Sequence, residues 1–265
     1  MRRFVIASLV GVVVAGGVGA WLWQKALDKR ERRLSTPTTV TLRFHPLVAG
    51  DSLVFNQPRY RNPGPSGSSF AIRDFQFFVS NVRLRSAAGD HVPADSYHLV
   101  RFDGGETVFE IALTNVPPRA YTAVELGIGV DAAANGSIAQ RGDLDPNGRM
   151  AWTWEVGYKF VLLEGTLEAL LDGTPAVPLV YHAGFSENYR TLSASVAHVR
   201  FDDGPVLLDY EVDAMKLFRG ESTIDLRTLP TVKFDRADAA RLASNYARMI
   251  RPVWTDAVTT GGTPP

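Results

Sequence analysis

Acidic and basic residues balance in this 265-residue chain, 28 of each, and it contains no cysteine. The charge balance and the scatter of the basic residues argue against a nucleic-acid-binding field. The missing thiol excludes disulfides, a thiolate nucleophile, iron–sulfur clusters and Cys-ligated zinc.

The chain opens with an export or anchor segment, Met1–Trp23, in which Arg2 and Arg3 precede an uncharged apolar run. A run of ~20 apolar residues is long enough to span a bilayer. Val18-Gly19-Ala20 is a poor cleavage site because the apolar Trp21-Leu22-Trp23 follows it, so the segment is expected to be an uncleaved anchor rather than a cleaved signal. Trp21 and Trp23 suit an interfacial aromatic belt. Residues 24–38 form a charged stalk, with a basic cluster at Lys29, Arg30, Arg32 and Arg33. Roughly two hundred residues remain, enough for one large domain with its own core.

Alternation of Val40, Leu42 and Phe44 predicts a first strand over 40–48. A second extended piece follows at 52–60, then a Pro/Gly/Ser loop over 61–69. Residues 70–85 predict a long strand whose apolar face changes around Ser80-Asn81, the mark of a bulge. Short strands are expected at 97–102, 107–113, 121–130, 177–183, 191–201 and 206–212, with Met215–Phe218 as a further short piece. One helical pattern, 231–249, carries Asp235 as a capping residue and Ala239, Leu242, Ala243 and Tyr246 on one face. Pro252 ends it, and the small, polar tail over 253–265 is expected to be disordered. The expected fold is mainly β: one antiparallel β-sandwich-like domain over 39–252, with a short C-terminal helix and the N-terminal transmembrane or signal helix.

The densest stretch is GDLDPNGRMAWTWEVGYKFVLLEG, Gly142–Gly165. Its start has oxygen ligands at alternate positions, like a calcium loop. Counting from Asp143 puts Trp154 where a bidentate Glu belongs, so an Asx-type turn is expected instead. Trp152 and Trp154, two residues apart in an extended segment, point to one face and suit an aromatic wall.

With no cysteine and no methionine cluster, the five histidines are the candidate metal ligands of intermediate softness. His98 and His182 each follow a tyrosine inside a short apolar strand. If they converge they suit copper or zinc; otherwise they are half-buried core groups. His91 is expected in an exposed turn, His45 at the start of the loop after the first strand, and His198 as one position of an alternating strand. No G-x-S-x-G elbow, H-E-x-x-H, P-loop or dinucleotide fingerprint occurs, which points to a binding module rather than an enzyme.

Six pieces together resemble the MbnP-like family of bacterial periplasmic copper-binding proteins. They are FAIRDFQFFVSNVRL (Phe70–Leu84), DSYHLV (Asp95–Val100), VPPRAYTAVELGIGVDAAAN (Val116–Asn135), the Gly142–Gly165 stretch, YHAGFSENYRTLSASV (Tyr181–Val196) and ASNYARMI (Ala243–Ile250). The W-x-W, GY and LEG elements are the most specific part. The resemblance implies a β-sandwich-like domain that binds copper outside the cytoplasm, often paired with a di-haem peroxidase-like partner. In some members a tryptophan is oxidised to kynurenine and joins histidines in a Cu(I) site. The best-known branch carries four cysteines; this chain is similar to the cysteine-free branch and has no Trp-x-His element. His98 and His182 match family positions best, with Trp152 and Trp154 as the neighbouring aromatic wall. The implied protein is periplasmic and tethered to the inner membrane through the N-terminal helix. Two alternatives stay open: a metal-free interaction module, and a substrate for tryptophan oxidation by a haem partner.

Overall fold

The computed structural model describes residues 21–28, 36–102, 108–137, 139–153, 156–197, 199–201, 204–254 and 258–261. Nearly all of the expected anchor lies outside these. Residues 21–28 form a helix, α1, and among the described residues no helix is long and apolar enough to cross a membrane.

The body is two packed sheets. The chain supplies β1 (Thr38–Val48), β2 (Asp51–Ser52), β3 (Tyr60–Arg61), β4 (Ser69–Arg85), β5 (Tyr97–Phe102), β6 (Phe109–Val116) and β7 (Ala123–Ile128). A short helix, α2 (Ala132–Asn135), precedes β8 (Lys159–Leu167), β9 (Val177–Gly184), β10 (Arg190–Ser195) and β11 (Val206–Asp213). Then come β12 (Thr231–Val232), helix α3 (Arg236–Tyr246), β13 (Ile250–Pro252) and β14 (Val258–Gly261). The five-stranded sheet runs β13-β11-β1-β2, with β6 also on β1; the nine-stranded sheet runs β12-β9-β8-β4-β7-β10-β14, with β3 and β5 also on β4.

The sandwich is mixed rather than purely antiparallel. β1 pairs with β11 in parallel, and so does β12 with β9. Both pairings join strands far apart in sequence, so no turn signal announces them. Inward residues of the two sheets meet in one core. Val40, Leu42 and Phe44 of β1 lie opposite Phe75, Phe77 and Val79 of β4, all buried, and the rings of Phe44 and Phe77 meet edge to face at 6.4 Å. Two inner faces closing on one apolar layer is the packing logic of a sandwich.

β4 is the spine of the larger sheet. β8 pairs with its first half and β7 with its second. The expected change of face is real: the β4–β7 register shifts between Ser80 and Arg83, and Asn81 sits at φ 51°. A second shift, between Ile72 and Asp74, shows as a three-residue step from the apolar Ile72 to Phe75 where alternation allows two. It turns both Arg73 and Asp74 away from the core, between the buried Ile72 and Phe75.

Elsewhere the helical period over 231–249 resolves into a two-residue strand, β12, followed by α3. Asp235 caps α3 as expected, accepting a hydrogen bond from Asp238 N at 2.8 Å. Met215 lies in a 3-10 turn, Ala214–Leu217, and not in an extended piece. The tail expected to be disordered contributes β14, which pairs with β10. His45 lies inside β1 instead of in a following loop. His91 bridges Leu84 and is half-buried, with Nε2 enclosed and unpartnered, because the turn folds back on β4. His198 lies outside the described residues.

Close approach of β8 to β4 sets a test of the fold. A Cβ at Gly165 would lie 2.1 Å from Ala71 O, whereas one at Gly136 meets nothing nearer than 3.5 Å. Backbone cannot yield as a flexible side chain can. Gly165→Ala is therefore expected to destabilise the domain by roughly 1–3 kcal/mol, with Gly136→Ala near neutral, both read by chemical denaturation. Equal stability of the two variants would contradict the β4–β8 register.

Candidate functional site

Side-chain parity decides which predicted residues share a face. His98 pairs with Val79 in the β4–β5 ladder, and Val79 is core. His182 pairs with Leu162 in the β8–β9 ladder, and Leu162 belongs to a second, outer cluster. Cross-strand partners point the same way, and Gln76, opposite Leu162, alternates with Phe77 and Val79. His98 and His182 therefore stand on opposite faces of the nine-stranded sheet and do not converge.

His98 is half-buried beside Ser96, whose Oγ lies 3.2 Å from its Nε2. Burial lowers its pKa, opposed by the charge of Asp143. This is a hydrogen-bonded, packed histidine.

The outer face of β8 and β9 is different. Here the 131–158 excursion folds over the sheet and buries Phe78, Tyr97, Leu144, Met150, Tyr158 and Leu162 beneath it. Turn chemistry holds the excursion. Asp145 Oδ1 accepts from Asn147 N at 2.8 Å, the expected Asx turn, while Asp143 Oδ2 accepts from Leu99 N at 2.8 Å and ties the turn to β5. Asn135 Oδ1 accepts from Tyr158 N at 2.8 Å, beside Gly157 at φ 86°. Lys159, only 8 % exposed, donates to the carbonyl of Arg149. Burial, and then the charge of Arg149, push its pKa down.

At the edge of that cover lies a hydrogen-bonded charge cluster. Glu164 Oε1 accepts from His182 Nε2 at 2.9 Å, and Glu164 Oε2 takes Arg73 at 2.8 Å and Arg149 at 2.9 Å. Arg149 also meets Asp74, which accepts from Gln76 Nε2 at 2.9 Å. The His182 and Glu164 side chains are 12 % and 13 % exposed. Burial alone would raise Glu164, but the hydrogen bonds from Arg73 and His182 and the charge of Arg149 outweigh it and bring its pKa to about 2. Burial, against the pull of Glu164, holds the His182 pKa below its ordinary value, with Lys159 and Lys233 adding to the effect. A carboxylate can only accept, so His182 donates from Nε2, and the neutral ring keeps its lone pair on Nδ1. No hydrogen bond occupies Nδ1 among the described residues.

Trp152 lies on the same outer face. A Cβ at Gly184, two residues beyond His182 on β9, would lie 2.5 Å from Trp152 Cζ3, so the indole covers that glycine. Phe185 and Phe234 flank it with ring centroids at 5.4 and 5.2 Å, and Phe234 is 62 % exposed. At Trp152 the indole thus packs between two phenylalanines; Trp154 lies outside the described residues. Glu164, Arg73, Arg149 and Lys159 were not singled out by sequence. The one available signal was a glutamate closing the apolar run before Gly165.

The family model MbnP matches residues 37–234. The chain belongs to the MbnP family. The solved structure of MbnP from Methylosinus trichosporium is similar in fold, with 18% identity, 86% of this chain and 100% of that chain covered, and a TM-score of 0.50. No curated protein matches the chain.

The Glu164 cluster sets a pH dependence. A carboxylate lowered from 4.5 to about 2 stabilises the fold fully above its unfolded pKa, and this contribution is lost as pH falls from about 4.5 towards 2. Linkage limits it to roughly 3 kcal/mol. In the metal-free protein, Glu164→Gln is expected to reduce stability at neutral pH and to flatten the acid limb over that window. Denaturation at stepped pH measures both; an unchanged acid limb would remove Glu164 from this role.

Proposed function

We propose that this chain is a non-catalytic, extracytoplasmic copper-binding protein whose site centres on His182 and Trp152 at the outer face of β8 and β9. Membership of the MbnP family supports the copper reading, since the namesake's relatives are copper-associated. The observation that carries the choice of site is the His182–Glu164 pair. A buried carboxylate fixes the tautomer of a neutral imidazole and leaves the other nitrogen free, the usual arrangement behind a metal-bound histidine.

The donor set present fits copper in part. Among the described residues no group of three His, Cys, Asp or Glu converges, so His182 is one donor and others are needed. Trp152 shares its face. Oxidised to kynurenine by a di-haem peroxidase-like partner, that side chain would offer an aromatic amine and a carbonyl. His98, on the far face, has no part in this site. The N-terminal segment would tether the domain to the inner membrane, with the body in the periplasm.

The same shortage of ligands favours a second reading, a metal-free interaction module. Cu(I) competition with a chromogenic chelator separates the two, using the 36–265 domain co-expressed with such a partner. On the copper reading, the kynurenine mass shift maps to Trp152, His182→Ala weakens Cu(I) binding at least about tenfold, and His98→Ala leaves it unchanged. Absence of Cu(I) binding by the unsubstituted domain would sink the reading, and equal loss in both variants would sink the site.

A further inference from the structure

The outer face of the five-stranded sheet carries a second concavity, remote from the His182 face. Outward residues of β1 and β11 form its floor: Arg43 lies beside Asp209 and His45 beside Glu211 in the parallel register. The segment after β2 curls over this floor and encloses a groove of about 890 Å³, walled by Leu53, Val54 and Phe55 and closed by Val253. That volume and that mix of apolar walls with a few convergent polar groups are those of small-molecule sites.

The wall is held in place before any ligand arrives. Leu53 N donates to Pro46 O at 3.0 Å and Asn56 N to Ile72 O at 2.8 Å. Between them Val54 N donates to the Tyr60 hydroxyl at 2.6 Å. A preformed wall spares a ligand the cost of ordering it.

The floor specifies the kind of polar group. Asp209 has both oxygens engaged, by Arg43 Nη2 at 2.6 Å and by His45 Nε2 at 2.6 Å. Glu211 is paired with Arg251. The charges are thus matched, and Glu110 adds a further negative charge near Arg43. What is left over is donor capacity: a guanidinium offers five N–H groups, Asp209 engages Arg43 at Nη2, and the Arg43 side chain is 30 % exposed, so donors at its exposed end remain for a ligand in the groove. Of the charged groups that line the groove, a ligand carboxylate would face Asp209 and Glu211, while a ligand ammonium would face Arg43. An uncharged oxygen acceptor suffers neither repulsion.

We propose that this groove binds a small, uncharged, largely apolar molecule, its carbonyl or amide oxygen directed at Arg43 and its apolar body against Leu53, Val54, Phe55 and Val253. The site is independent of the copper reading and needs no metal.

The test uses the 36–265 domain and the neutral fluorophore N-phenyl-1-naphthylamine as probe. Three matched competitors follow: N-acetyl-phenylalanine amide (neutral), N-acetyl-phenylalanine (anionic) and phenylalanine amide (cationic). Saturable fluorescence enhancement is expected, displaced at least about tenfold more effectively by the neutral compound than by either ion. Val54→Asp should abolish the enhancement. Val253→Asp, at a position 50 % exposed and so harmless to folding, should weaken it. No saturable enhancement, a displacement order that ignores charge, or unchanged binding in the Val253→Asp variant would each overturn the proposal.

Discussion

The Glu164 carboxylate gathers three cationic or donor groups, and each arrives from a different segment. Arg73 comes from the first bulge of β4, His182 from β9, and Arg149 from the turn that precedes Trp152. The bulge is what makes this possible. Regular alternation would send Arg73 and Asp74 to opposite faces; the extra residue places both outside, where Asp74 holds the far side of Arg149. Arg73 and Arg149 are well exposed, so the buried charge of the set is Glu164, and loss of its partners would leave that carboxylate poorly solvated. The carboxylate therefore fixes the ring of His182 and also locks the excursion that carries Trp152 onto the sheet.

Much of the β architecture is legible in the chain because the apolar runs are short and bounded by turn residues, and strands such as β1 and β11 alternate an apolar inward face with a polar outward one. The pattern places β1, β5 and β9 within a residue or two, and the break around Ser80-Asn81 marks the second bulge of β4. Pairing is another matter. The parallel contacts of β1 with β11 and β9 with β12 depend on which apolar faces close over one another, and no local signal encodes that. The tail strand is missed because its Thr and Gly residues lack an apolar period, and its backbone is satisfied by pairing with β10.

His98 and His182 show the same limit at the site. Both follow a tyrosine in a short apolar strand, yet the two tyrosines play opposite parts. Tyr181 is in the main core, so His182 points out. Tyr97 is in the outer cluster, so His98 points in. Both faces of β5 are apolar because the 131–158 excursion covers its outer side, and a strand buried on two faces has no readable phase. The Gly142–Gly165 stretch is what hides the phase of His98, and it also supplies the cover and the indole at the His182 face.

Alternation also separates the two candidate sites. Along β8, Val161 and Leu163 enter the core while Leu162 and Glu164 leave it; along β11, Leu208 and Tyr210 enter while Asp209 and Glu211 leave. The groove over Arg43 and the face bearing His182 are therefore back to back. Between them lies the layer in which Tyr210 stacks on Phe44 at 5.2 Å and Phe44 meets Phe77. Such a layer is close-packed and yields only by repacking. Among the described residues no ion pair joins the two faces; one backbone hydrogen bond, from Asn56 N to Ile72 O, links the groove wall to β4. Changes at the two faces share no partner and should add in free energy, as distant, unconnected sites do. A ligand in the groove would then alter events at His182 only by shifting β4, the one strand that lies under the charge cluster and, through Ile72, also anchors the groove wall at Asn56.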